Sequence, residues 1–253
     1  MSLKVSIITA TYNSANTLEM CMDSVLNQSY NNIEYLIIDG NSTDDTKALI
    51  KAKSEKNPNI KWTSEPDKGI YDALNKGIAA ASGDIIGFVH SDDFLANSSV
   101  IEMIVTNFDA NDADGVYGDL HYVSVTDTSK VVRNWKSQVF LPKLLHRGWM
   151  PAHPTLFLKQ EVYKSFGNFD LGYRIAADYD FILRIFSNPS YKFQYLPETI
   201  VKMRVGGESN RSINNLIKKT KEDYKAAKQN GLSFPFFVIL SKNLSKLPQW
   251  LKK

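Results

Sequence analysis

The stretch that decides the fold is KVSIITAT at residues 4–11, followed by SANTLEMCMDSVLNQ at 14–28 and EYLIID at 34–39. A short β-branched run precedes apolar residues at helical spacing (Leu18, Cys21, Met22, Val25, Leu26), and a second apolar run follows. That order predicts strand, helix, strand. The pattern then repeats, with a helix over 43–56, a strand over 60–65, a helix over 69–81 and a strand over 84–90 (DIIGFVH). Such alternation predicts an α/β fold built on a doubly wound, mostly parallel sheet with right-handed crossovers. Ligands bind these sheets beyond the carboxyl ends of the strands. The residues to interrogate are therefore Thr11-Tyr12-Asn13, Asp39-Gly40-Asn41, Glu65-Pro66-Asp67 and Ser91-Asp92-Asp93.

Downstream the rhythm changes. Residues 115–124 and 130–135 read as strands of a hairpin joined by the polar turn 125–129, and 155–158 as a short strand. Residues 176–187 form a helix with Tyr179, Ile182, Leu183 and Phe186 on one face. Gly206-Gly207 interrupts before a long basic helix over 213–230. We expect one α/β unit over 1–210 and a basic, amphipathic helical extension over 211–253. The first part carries 20 Lys and Arg against 25 Asp and Glu, and the second 10 against 2. A basic segment of this kind suits an anionic partner, or else presents a solvated helix face.

Composition removes several classes. With 253 residues, 43% apolar and 23% charged, the chain is ordinary globular material. The longest clean apolar run is five residues, Phe236 to Leu240, against the roughly 20 a membrane helix needs. No apolar stretch of signal-peptide type follows the start, so a cytoplasmic location is expected. The single cysteine, Cys21, permits neither an internal disulfide nor a multi-cysteine zinc site, and its apolar stripe marks it as a core residue. No G-x-G-x-x-G follows the first strand and no P-loop occurs, which argues against a dinucleotide-dependent dehydrogenase and a P-loop NTPase.

What remains is a hydrophobic strand ending in His90-Ser91-Asp92-Asp93. Two carboxylates at a strand's carboxyl end suit a hard cation, Mg²⁺ or Mn²⁺, shared with substrate phosphates. Taken alone, Asp-Asp is more often a helix N-cap. Its context is more specific: VSIITATYN at the first strand, IIDGNSTDDT after the second, SEPDKGIYDALNKG with its G-x-x-x-A-x-N-x-G helix, and then the Asp pair. In this order the motifs resemble the family 2 inverting glycosyltransferases of the GT-A fold, bacterial polysaccharide-synthesis type, over about residues 3–210.

The resemblance implies a nucleotide-diphosphate sugar donor, most simply UDP-linked. Thr11 and Asp39 would contact the nucleotide, Asp92 the ribose or sugar, and Asp93 would hold the metal, while Asn75 and Lys76 would line the donor site. For Asp39 the competing reading is a turn residue, and for Lys76 an exposed helix charge. Inverting transfer needs a carboxylate to take the acceptor proton. The segment Ala177-Asp178-Tyr179-Asp180-Phe-Ile-Leu-Arg184 matches the family pattern whose first aspartate is that base, so Asp178 is assigned, with Ala177 where glutamate is often found. Asp180 is expected to pair with Arg184 four residues on. His153, in Pro-Ala-His-Pro-Thr, would be a third metal ligand or a phosphate donor, or else a structural histidine in a Pro-bounded turn. Gly206-Gly207-Glu208-Ser209 resembles a mobile flap.

The acceptor implied is a glycan or lipid-linked hydroxyl. The chain lacks the Q-x-x-R-W motif and spans of processive synthases, so single-sugar transfer is expected. Lys242, Lys246, Lys252 and Lys253, with Phe236, Phe237, Leu244, Leu247 and Trp250, would lie at an anionic membrane surface or pack on the chain itself. The basic helix is poor in aromatics, which disfavours nucleic acid as a partner. Two alternatives stay open: a sugar-1-phosphate nucleotidyltransferase, and a catalytically silent sugar-nucleotide-binding scaffold of a polysaccharide assembly. The sequence does not set the oligomeric state.

Overall fold

A computed structural model of the chain describes residues 2–206 and 213–245. In chain order the elements are β1 (Val5–Thr11), α1 (Leu18–Leu26), β2 (Ile33–Asp39), α2 (Thr46–Ser54), β3 (Ile60–Ser64), α3 (Ile70–Ala80), β4 (Ile85–Phe88), β5 (Asp93–Leu95) and α4 (Val100–Asn111). There follow β6 (Gly115–Val123), β7 (Val131–Trp135), β8 (Phe157–Lys159), α5 (Gln160–Phe166), α6 (Ala177–Phe186), β9 (Phe193–Arg204), α7 (Ile213–Gln229) and α8 (Pro235–Leu244). The sheet order is β3-β2-β1-β4-β8-β6-β9-β5, with β7 paired to β6.

The first four strands are parallel, as the alternating pattern requires. Their side chains divide by the period of two. Ile8, Leu36, Ile38 and Ile86 pack with α3 and the C-terminal helices on one face. Ile7, Tyr35, Ile37 and Ile85 pack with α1, α2 and α4 on the other. Burial on both faces is why β1, β2 and β4 read as near-continuous apolar runs, whereas the edge strand β3 keeps Lys61 and Thr63 exposed. Cys21 lies in the second layer with no exposed surface, and burial pushes its thiol up to about 12, so it is an inert core residue as expected.

The second half of the sheet is mixed. β8 is antiparallel to both β4 and β6, β6 and β7 form the expected hairpin, and β9 runs parallel to β6 and antiparallel to β5. At the amino end of the parallel strands Glu34 is a buried tie. It accepts hydrogen bonds from Lys61 Nζ (2.7 Å), Ser6 Oγ (2.7 Å) and both the N–H and hydroxyl of Ser82 (2.9 Å each).

The helices of the basic extension join the same core. Ala226, Ala227, Leu232, Val238 and Ile239 pack with Phe169, Tyr173 and Tyr179. Of the two placements open to Lys242, a membrane surface or packing on the chain itself, the structure shows the second. Lys242 is 2% exposed, pairs with Asp223 at 2.8 Å, and sits over the Tyr179 ring at 3.2 Å, because its position on α8 points into the domain. Lys246, Leu247, Trp250, Lys252 and Lys253 lie outside the described residues, as do Gly207, Glu208 and Ser209 of the flap segment. No helix among the described residues is long and apolar enough to cross a membrane.

Candidate active site

The carboxyl ends of β1, β2 and β4 are stitched into one rim. Asn13 and Asn41, just beyond β1 and β2, adopt left-handed backbone (φ 50° and 63°), a conformation that asparagine tolerates better than most residues. Asn13 N–H donates to Ser42 Oγ (2.8 Å), and its side-chain oxygen accepts from Thr43 N–H (2.9 Å). The hydroxyls of Ser14 and Ser91 meet at 2.9 Å, tying the β1 and β4 ends together.

Thr11 and Asp39 are register partners across β1 and β2. Asp39 has no exposed surface and accepts from Ser42 N–H (3.0 Å), Ser42 Oγ (2.5 Å) and Ser64 Oγ (2.6 Å). Its carboxylate thus holds the turn, while the buried Thr11 Oγ1 beside it has no partner among the described residues. Above them a Cβ on Gly40 would collide with the Asp67 carboxylate and lie 3.5 Å from the exposed Tyr12 ring. Glycine at 40 is what lets Asp67 close over the strand end. Tyr12 and Asp67 were quoted as strand-end residues but not assigned; only the fold shows that they converge.

Asn75 and Lys76 serve the frame. The Asn75 amide exchanges two bonds with the Phe169 backbone (2.9 and 3.0 Å), which occupies both its donor and its acceptor. Lys76 Nζ bonds Glu65 (2.8 Å) and the Pro66 carbonyl (2.9 Å), so this cation braces the segment after β3.

His90, Ser91 and Asp92 form the turn between β4 and β5, closed by the Asp93 N–H to His90 carbonyl bond (2.9 Å). Asp92 is half-buried and Asp93 wholly enclosed, with both carboxyl oxygens lacking a protein partner among the described residues. Burial, reinforced by the Asp92 charge, pushes the Asp93 carboxyl well above the usual range, and Arg204 opposes that. Arg204 also donates to the Asp92 carbonyl (2.5 Å), fixing the turn from β9.

The His90 and His153 rings stand 5.7 Å apart, and His153 also packs on Phe88 and Phe169. Burial lowers the His153 pKa to about 4, with Asp178 opposing the shift and His90 adding to it. It likewise lowers that of His90, against the nearby charges of Asp92 and Asp178. Both rings are therefore neutral near pH 7, and His153 Nε2 and His90 Nδ1 lack partners among the described residues. His90 entered the sequence reading only as part of the motif.

Asp178 sits in the first turn of α6. Its Oδ1 accepts from Tyr179 N–H (2.8 Å) and the Tyr71 hydroxyl (3.2 Å), which leaves Oδ2 without an intramolecular bond among those described. Asp180 bonds Arg184 Nε at 3.0 Å, as the i,i+4 spacing predicts, and turns away from Asp178. Tyr71 belongs to the DKGIYDALNKG run but carried no sequence signal for this contact. The charge of Asp178 acts on both His90 and His153, and that of Asp92 on His90, so carboxylates and neutral imidazoles come together at the strand ends.

No three His, Cys, Asp or Glu among the described residues are grouped as a metal cage. The donors fit the other arrangement, in which one or two carboxylates share a hard cation with substrate phosphates.

Comparison with known proteins bears on the family and the fold. The Glycosyl transferase family 2 profile matches residues 6–169. A PGL/p-HBAD biosynthesis glycosyltransferase of Mycobacterium tuberculosis is 29% identical over 215 residues, 83% of this chain and 80% of the relative. Among solved structures, Staphylococcus aureus TarS 1-349 in complex with UDP-GlcNAc superposes with a TM-score of 0.67 at 18% identity, covering 98% of this chain and 79% of that one. The mannosyltransferase PcManGT of Pyrobaculum calidifontis, in complex with GDP-Man and Mn2+, gives 0.70 at 17% identity, covering 99% and 74%. These two likenesses establish the fold.

Proposed function

The chain belongs to glycosyl transferase family 2 and is a transferase, and on that premise we propose that it moves one sugar from a UDP-linked donor to a hydroxyl of a glycan or lipid-linked acceptor in cell-surface polysaccharide synthesis, with inversion. The observation that carries the reading is the Asp178 carboxylate, fixed through Oδ1 and open at Oδ2, on the same rim as Asp92 and the two neutral histidines.

In this account Asp178 Oδ2 takes the acceptor's hydroxyl proton as that oxygen attacks the sugar's C1. The bond from C1 to the diphosphate oxygen breaks, and the nucleoside diphosphate leaves with the electron pair. Tyr71 and the Tyr179 N–H hold the base in one orientation. Thr11, Asp39, Tyr12 and Asp67 frame the nucleotide end. A divalent cation, Mn²⁺ or Mg²⁺, supplies charge neutralisation to the leaving diphosphate when bound. Of the acidic pair we assign Asp92 to hold it, a revision of the expectation for Asp93. Asp92 keeps solvent access, whereas Asp93 is enclosed and its burial pushes the carboxyl upward. His153, neutral and unpartnered at Nε2 among the described residues, would donate to phosphate or serve as a further ligand of the ion.

The acceptor side is read from α8. Phe234 is 77% exposed and Phe236 and Phe237 65% each, alongside exposed Leu240 and Leu244. A shallow hollow of about 390 Å³ lined by His146, Ser233, Phe234, Phe237 and Val238 opens on this face. Aromatics beside the basic α7 suit an anionic lipid interface, which would bring the enzyme to a lipid-linked acceptor.

Thermal denaturation against UDP, GDP, CDP and dTDP, each with and without Mn²⁺, tests the donor reading. A ligand at 100 times its Kd adds about 2.7 kcal/mol to the stability of the folded state. A UDP-specific rise that needs the metal and is lost in Asp92→Ala is expected. A rise with GDP instead would replace the donor base, and no rise with any nucleotide would favour a silent scaffold.

A further inference from the structure

The N-terminus of α6, which carries Asp178, has no cap of its own. Its N-cap residue is Ala176, whose side chain has no acceptor, and no side-chain cap bond is made there. The acceptor comes instead from α7. A single oxygen, Glu222 Oε2, receives the backbone N–H groups of Arg174 (3.1 Å), Ile175 (2.7 Å) and Ala176 (3.0 Å). An anion here also complements the positive end of the α6 dipole. The middle residue of the three, Ile175, offers its carbonyl to the Tyr71 hydroxyl at 2.7 Å, and that hydroxyl reaches Asp178 Oδ1.

We propose that Glu222 is a positioning residue for the reaction: through the 174–176 backbone and Tyr71 it sets where the Asp178 carboxylate stands. The proposal rests on reading Asp178 as the base. It makes the C-terminal helix, which lies beyond the stretch matched by the family profile, part of the active-site scaffold. The rest of α7 is arranged to keep it there. Asn230, just past α7, donates to Asp180 Oδ1 (2.9 Å), Tyr173 bonds Gln229, and Ala226 and Ala227 are buried against the core. Without Glu222 three N–H donors lose their partner at once, and the turn before Asp178 has no remaining hold from α7 through those amides. Charge-assisted bonds are about twice as strong as neutral ones, so the loss concentrates on this turn.

The test uses the full chain and compares Glu222→Ala, Glu222→Gln and Asn230→Ala by hydrogen exchange over residues 170–182. Turnover is read as nucleotide release from UDP-GlcNAc, UDP-glucose and GDP-mannose with Mn²⁺. Glu222→Ala is expected to speed exchange of the 174–176 amides at least tenfold while β1 and α3 stay protected. Its kcat should fall about 100-fold, the cost of a displacement near 1 Å, with donor KM within twofold of the parent. Glu222→Gln keeps an acceptor oxygen and should retain most of the protection and most of the turnover. Asn230→Ala should leave the 174–176 amides protected.

Unchanged exchange at 174–176 in Glu222→Ala would overturn the proposal, as would a uniform rise across the chain or a loss carried by KM. If Glu222→Ala does not fold, Glu222→Asp carries the same comparison, with a partial loss at the same amides expected. Asp178→Asn separates this idea from the one beneath it. Full turnover in Asp178→Asn would refute the base assignment itself. A dead Asp178→Asn beside a Glu222→Ala of parental kcat would refute the positioning role alone.

Discussion

The Tyr71 hydroxyl stands 2.7 Å from the carbonyl of Ile175 and 3.2 Å from Asp178 Oδ1, so one hydrogen faces two acceptors. Burial, with the Asp178 charge adding to it, pushes the Tyr71 phenol well above its ordinary range, so it stays a donor at every working pH. While Asp178 is ionised the hydrogen is shared between the two. In the proposed transfer, once Asp178 takes the acceptor's proton, the same hydroxyl can serve Ile175 alone without leaving a carboxylate unsatisfied. The contact therefore accommodates both states of the base.

Tyr71→Phe keeps the ring against Phe169, whose centroid lies 5.4 Å away, and removes only the hydroxyl. We expect a fall in kcat of about tenfold, unchanged donor KM, and a stability loss of about 1 kcal/mol, the usual net worth of one hydrogen bond. Steady-state kinetics with a urea titration check this; an unaltered kcat would show that Tyr71 only packs.

Glu34 gives a pH dependence that is independent of the active site. Burial alone would raise its pKa, but the bonds from Lys61, Ser82 and Ser6 outweigh it and bring it from 4.5 to about 2. A group depressed on folding stabilises the fold above its unfolded value and loses that contribution as pH falls from about 4.5 towards 2. Glu34→Gln should be less stable than the parent by about 2 kcal/mol at pH 7. The gap should close as pH approaches 2. Urea midpoints at several pH values decide it, and a gap that does not vary with pH would assign the loss to packing.

The apolar face of α8 predicts lipid binding. The full chain should sediment with vesicles containing phosphatidylglycerol and remain in solution with phosphatidylcholine alone, less so at high salt. The double variant Phe236→Ser/Phe237→Ser should lose the binding while Tm is kept, since both rings are 65% exposed. Equal sedimentation of the variant would place the contact elsewhere, and concentration-dependent self-association lost with the same rings would identify a second copy as the occupant.

The first half of the fold was legible because β1, β2 and β4 are buried on both faces, β3 alternates as a half-buried edge strand, and the intervening helices are amphipathic. β9 was not. Its segment FQYLPETIVKMR holds Pro197, Glu198 and Lys202, is only partly buried, and pairs with β6 through register shifts, so it has neither period cleanly. Residues 94–111 received no element, although α4 carries Ile101, Ile104, Val105 and Phe108 inward, and β5 is only three residues long.

Within the candidate site, Asp178 and the Asp92-Asp93 pair are picked out by linear motifs. Which acid of that pair faces solvent is not, since adjacent residues differ only in which way the β4–β5 turn aims them. Tyr71 and Glu222 reach the turn before Asp178 from 104 and 48 residues away, through single atoms that no local pattern encodes. For Lys242 the sequence leaves a membrane surface and packing on the chain itself both open, because the facing Asp223 that decides between them lies 19 residues away.

The most direct test of the account is Asp178→Asn, assayed for sugar transfer with the donor identified by nucleotide-dependent stabilisation. The substitution keeps an oxygen for the Tyr71 and Tyr179 bonds and removes only the capacity to take a proton. The account predicts unchanged nucleotide binding and Tm with turnover reduced by 10²-fold or more, the range assigned to general base catalysis. Turnover close to that of the parent, with the product's anomeric configuration unchanged, would contradict it.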